Sequence, residues 1–131
     1  MTAPILQRVQ FDAPPHDVFE ALAHGDRFAA ATGAPARSGP EPGSDFALFG
    51  GAIVGRQIEV VPDERLVQAW RVASWPAGVY SLARFEIRRT DVGSEVEFSH
   101  LGFPAEEREH LDAGWHRMYW SPLQAFLAAA S

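Results

Sequence analysis

Apolar and polar residues alternate through ILQRVQF, with Ile5, Gln7, Val9 and Phe11 on one side and Leu6, Arg8 and Gln10 on the other. A period of two marks a half-buried strand. APPHDVFEAL follows, with prolines where a helix can start without losing a hydrogen bond and Asp17 and Glu20 near the positive end of its dipole. These signals predict a short helix over Pro15 to Ala23 and a second short helix or turn around Asp26 to Ala31. TGAPARSGPEPGSD keeps no period, and its recurrent glycine and proline predict a loop between Thr32 and Asp45, and a mobile one.

From Phe46 the pattern returns to strands: Phe46 to Phe49, Ala52 to Val61, Arg65 to Ala73, Val79 to Thr90 and Ser94 to Phe103. The breaks between them (GG, PDE, WPAG, DVG) are short and rich in turn residues, which favours hairpins and an antiparallel meander. After GFP the spacing predicts a long helix from Ala105 to about Ala129, with Glu106, Glu107 and Glu109 in its first turns. The expected class is α+β: a curved antiparallel sheet of about six strands wrapped around a long C-terminal helix, with two short helices after the first strand. The helix is the one element long enough to cover a sheet face. With 131 residues and 47% hydrophobic content the chain suits one domain, residues 1–131.

A sheet gripping one helix leaves space between the two, and that space is the candidate site. On a wheel of 3.6 residues per turn, Leu111, Gly114, Trp115, Met118, Tyr119, Pro122 and Phe126 fall within roughly 140° and should face the sheet. Gly114 would allow close approach, and Pro122 would bend the helix. Trp120 falls on the opposite face with Leu123 and Leu127, which points to packing under a loop or to a homodimer contact. In SEVEFSHLGF, Val96, Phe98 and His100 share the inward face, and Phe85 shares it on the neighbouring strand. The expected lining is therefore Phe85, Phe98, His100, Leu111, Trp115, Met118, Tyr119 and Pro122. His100 reads either as a general base or ligand donor, or as a core histidine satisfied by Tyr119 or a backbone carbonyl; burial favours the second. Trp75 and Tyr80 lie beside the WPAG turn, where they could rim a cavity or dock a partner.

Composition narrows the chemistry. With 11 Lys+Arg against 17 Asp+Glu the net charge is −6, which disfavours nucleic acid and anionic membranes as partners. The chain has no cysteine, which removes disulfides, thiolate metal sites and thiol nucleophiles. His16, His24, His100, His110 and His116 show no metal-ligand spacing, so no metal is expected. GGAIVG lacks the GxGxxG order, GxSxG is absent, and Ser81, Ser99 and Ser121 have no sequence neighbours that would activate a nucleophile. No cofactor and no catalytic residue are expected. MTAPILQRVQFDAPP has neither the basic start nor the apolar run of a secretory signal, and FALFGGAIVG is too short to span a bilayer, so the expectation is a soluble cytoplasmic protein.

LVQAWR, SWPAGVYS, EVEFSHLGFP and GWHRMYWSPL, with FDAPPHDVFEAL and FALFGGAIVGRQIE before them, resemble the activator of heat-shock protein 90 ATPase homologue family. That family lies in the START-like, birch-pollen-allergen-like (SRPBCC) superfamily. The resemblance implies a helix-grip fold with a cavity between sheet and helix. Its members include co-chaperones, lipid and hormone binders, and cyclase-like enzymes. The eukaryotic activators carry a separate N-terminal domain, for which this chain has no room. Three functions follow as expectations: binding of a small, mostly hydrophobic molecule, association with a chaperone, and a cyclase- or hydrolase-like activity using His100 or Tyr119. Binding ranks first.

Overall fold

The structure, a computed structural model, describes residues 3–130. Strand β1 (Ile5–Phe11) leads into helices α1 (Pro15–Ala23) and α2 (Gly25–Thr32). Strands β2 (Asp45–Leu48), β3 (Ile53–Val61), β4 (Arg65–Val72), β5 (Ser81–Thr90) and β6 (Gly93–Leu101) follow. Together they form one six-stranded antiparallel sheet in the order β1-β6-β5-β4-β3-β2. The C-terminal helix covers its inner face in three stretches: α3 (Arg108–Gly114), a π-helical turn (Trp115–Trp120) and α4 (Ser121–Ala130). This is the expected helix-grip architecture, with element ends shifted by a residue or two as fraying would have it.

Alternation sets the register. Ile5, His100, Ala83, Gln68 and Gln57 pair across five successive strands and form one row on the inner face. Their outward neighbours build a charged face in which Arg8 and Arg88 both meet Glu95 and Glu97. Packing is tight towards the far edge of the sheet. At Gly55 a Cβ would sit 2.0 Å from the Ala69 carbonyl oxygen and 2.5 Å from the Phe46 ring, so no side chain fits there.

The Thr32–Asp45 segment is pinned, contrary to the expectation of mobility. The Gly25 N–H donates to the Ser38 carbonyl (3.0 Å), the Ser38 hydroxyl to the Ala23 carbonyl (2.9 Å), and the Gln57 side-chain amide to the Ser38 hydroxyl (3.1 Å). Composition marked it as irregular, but its polar groups find partners in α1 and β3 that no local pattern could show.

The largest correction concerns the C-terminal helix. Trp120 is only 1% exposed and lies with Phe11, Phe85 and Phe98 in the core, not on an outer face. The π turn explains this. Ser121 N–H bonds to the carbonyl of His116, five residues back, so the turn holds one extra residue and brings positions five apart to the same side. Trp115 and Trp120 consequently stack at 5.9 Å and 25°. The buried stripe then continues through Leu123 and Leu127, while Met118 is 42% exposed and Pro122 and Phe126 are half-buried. Beyond the turn, every assignment made at 3.6 residues per turn is rotated by about one residue. Pro122 contributes to this shape: it has no N–H, and its ring would clash with the carbonyl of residue 118 in a regular α-turn. Trp120, being buried, is not itself the outer contact expected of it.

Candidate functional site

The space expected between helix and sheet is largely filled. Trp115 packs on Phe98 (4.2 Å), Tyr119 (4.1 Å), Trp70 (5.3 Å) and Phe85 (5.9 Å). His100 is fully buried at the centre of this cluster and lies edge-on to Trp70 at 4.8 Å.

The hydrogen bonds of His100 fix its protonation state. The Trp115 indole N–H, which can only donate, lies 3.0 Å from Nδ1, so Nδ1 is an acceptor. The proton of the neutral ring must then be on Nε2, where it is donated to the Ser81 hydroxyl at 2.8 Å. Ser81 in turn donates to the Trp70 carbonyl at 2.6 Å. The chain of donors closes with every member satisfied. Burial pushes the His100 pKa down to about 3, which keeps the ring neutral. The expected partners, Tyr119 or a carbonyl, are thus replaced by Trp115 and Ser81. A Ser–His pair does exist here that the sequence did not suggest, but it runs opposite to a nucleophile–base dyad, because the imidazole donates to the hydroxyl.

Tyr119 belongs to a different neighbourhood. Its oxygen accepts the Trp70 indole N–H at 3.1 Å, and its ring packs edge-on against Phe28 and Phe49. Burial pushes the phenol pKa up, so the hydroxyl stays protonated. Since Trp70 only donates, the Tyr119 hydrogen is left without a protein acceptor among the described residues.

Open space survives beside Tyr119. A cleft of about 240 Å³ runs between the C-terminal helix and the β3–β4 edge, walled by Phe49, Ile53, Trp70, Val72, Leu111, Trp115 and Tyr119, with Met118, His110 and Arg117 at the helix side. Gly114 also lines it, and a Cβ built there would meet nothing within 4 Å. The glycine therefore opens space instead of allowing the close approach expected of it. The π turn supplies Trp115, Arg117, Met118 and Tyr119, so one local widening of the helix builds much of one wall. A larger depression of about 660 Å³ lies on the outer sheet face, but its Arg8, Arg84, Arg88, Glu86 and Glu97 side chains already pair with one another.

Of the eight expected lining residues, Leu111, Trp115, Met118 and Tyr119 meet at this cleft. Phe85, Phe98 and His100 face inward as expected but fill the solid core: Trp120 packs beside Phe85 and Phe98, and Trp70, Phe103 and Trp115 enclose His100. Pro122 lies past the cleft, half-buried. Phe49, Ala52, Ile53, Trp70 and Val72, which in the sequence read only as sheet or turn residues, are lining residues missed, as are His110, Gly114 and Arg117 on the helix. Trp75 forms no rim: it is buried against Trp70 at 5.9 Å, and its indole N–H reaches Glu107 at 3.3 Å. Tyr80 is exposed, under the guanidinium of Arg71. Arg71 donates to the carbonyls of Ala73, Trp75, Pro76 and Val79 and so organises the whole turn.

No group of His, Asp or Glu able to hold a metal ion occurs among the described residues, and none of their helices is long and apolar enough to cross a membrane.

Comparison with known proteins agrees with this architecture. The human Activator of 90 kDa heat shock protein ATPase homolog 1 is 26% identical over 123 residues, covering 94% of this chain and 36% of that protein. The chain thus spans little more than a third of the curated relative. An HSP90 activator from Plasmodium falciparum superposes with a TM-score of 0.85 at 20% identity, covering 98% of this chain and 96% of that one. The Aha1 dimer from Colwellia psychrerythraea gives 0.81 at 15% identity, over 99% and 100% of the two chains. Residues 12–128 match the family described as Activator of Hsp90 ATPase homolog 1-like protein, and the chain belongs to that family.

Proposed function

We propose that this domain binds a small, mostly apolar molecule in the cleft beside Gly114. The observation that carries the reading is the glycine itself. It interrupts a helix without any steric demand for a missing side chain, and the space it leaves is bounded by Trp70, Trp115 and Tyr119. Helical glycine costs about 1 kcal/mol relative to alanine, so a reason for it outside helix stability is expected. The volume of about 240 Å³ lies just under the range usual for drug-sized ligands, which favours a compact molecule over a long lipid. Proton transfer by His100 is disfavoured, because both its ring nitrogens are engaged away from the cleft.

Native mass spectrometry of freshly purified protein tests this directly: a co-purifying small molecule should be present, and Gly114→Leu should lose it while unfolding cooperatively. Retention of the same molecule by Gly114→Leu would remove the cleft from consideration.

A second reading is association with a 90 kDa heat-shock protein, supported by the family and by the activators among its relatives. The exposed Tyr80, Leu82 and Leu101 side chains would offer it an apolar surface. Pull-down with the chaperone tests it, and loss of capture in Tyr80→Ala would place the contact on that face.

A further inference from the structure

We propose that the cleft selects apolar molecules that carry a single negative charge: compact aromatic or aliphatic acids, with the ring or chain against Trp70, Trp115 and Tyr119 and the acid at the mouth. This rests on the binding reading above and assigns it a ligand class.

Charge at the mouth carries the inference. The chain as a whole is acidic, at −6, yet the lining of this cleft contains no Asp or Glu. Its two polar side chains with titratable nitrogen are Arg117 and His110. They stand on the same helix as Gly114, four residues before it and three after it, so the two side chains flank the opening the glycine leaves. Arg117 is also exposed and has no ion pair among the described residues, whereas Arg8, Arg56, Arg65, Arg84, Arg88 and Arg108 each meet a carboxylate. An unpaired guanidinium beside an apolar slot offers a planar fork of donors that fits a carboxylate or sulfonate. A neutral apolar molecule would gain the aromatic walls alone.

Two fluorescent probes separate the charge from the ring system. 8-Anilinonaphthalene-1-sulfonate carries one sulfonate, and N-phenyl-1-naphthylamine is the same aromatic framework without it. Titrated at low ionic strength, the sulfonate should bind roughly fivefold more tightly, the scale of one ion pair at an open mouth, and added salt should narrow the gap. Arg117→Gln should abolish the preference, bringing the ratio of the two affinities close to one. Arg89→Gln removes the same charge from a distant exposed strand position and should leave the preference in place. Equal affinity for the two probes, or an equal effect of Arg89→Gln and Arg117→Gln, would overturn the acid selectivity alone. If neither probe binds, or if Gly114→Leu leaves both titrations unchanged, the cleft itself is not a site, and the binding reading falls together with this one.

Discussion

The indole N–H of Trp115 points at Nδ1 of His100 from 3.0 Å, and this one bond holds the imidazole in a single neutral tautomer. Stability should therefore depend on pH. The unfolded ring titrates near 6.5, whereas the folded ring titrates at about 3. A base whose pKa is depressed on folding contributes its stability in full above the unfolded value and loses it as pH falls from there towards the folded value. Between pH 6.5 and 5 the loss should approach about 2 kcal/mol, at roughly 1.4 kcal/mol per unit. Urea titrations across this window should show that slope in the wild type and a flatter one in His100→Gln. His16, whose pKa Asp63 raises, acts in the opposite sense and cancels in the difference.

Truncation of Trp120 separates core from interface. Trp120→Ala should cost about 3–5 kcal/mol, the usual range for a buried tryptophan, and strand the Gln7 side chain that accepts its indole N–H at 2.6 Å. Light scattering should give the same molar mass before and after the substitution. A fall in mass with little change in stability would instead place Trp120 in a subunit contact.

Two glycines should respond in opposite directions to the same change. Gly114→Ala should stabilise by about 0.5–1 kcal/mol, since the methyl meets nothing and helix propensity improves. Gly55→Ala should destabilise by about 1–3 kcal/mol or more, because its Cβ would overlap the Ala69 carbonyl oxygen. Thermal unfolding of both variants checks the pair.

The strands and the grip of sheet on helix were legible because alternation is a local property: His100, Phe98 and Phe85 face inward as their spacing required. Trp120 was misread because a helical wheel presupposes 3.6 residues per turn, and nothing in a period reveals an inserted residue. The hint lay in two tryptophans five apart followed by Pro122. The same misplaced indole fills the space beside Phe85 and Phe98, which the wheel had left open. Partnerships such as Ser81 with His100, or Ser38 with Gln57, join residues 19 apart in the chain and leave no local signal.

Arg71 should control the order of the turn after β4. Its guanidinium serves four carbonyls at once, at 2.6 to 3.4 Å, which a lysine ammonium with three donors and no planar fork cannot reproduce. Arg71→Lys should raise amide hydrogen exchange across residues 73–80 while protection in β5 and β6 stays near wild type. Uniform loss of protection over the sheet would mean that the arginine supports the whole fold.

The indoles of Trp70, Trp115 and Trp120 lie within about 6 Å of their nearest neighbours in this set, one pair nearly parallel. Chromophores this close share their excited states, so the domain carries its own optical reporter. Two of the three also wall the cleft, so occupancy can be followed by near-ultraviolet circular dichroism or intrinsic emission without any label.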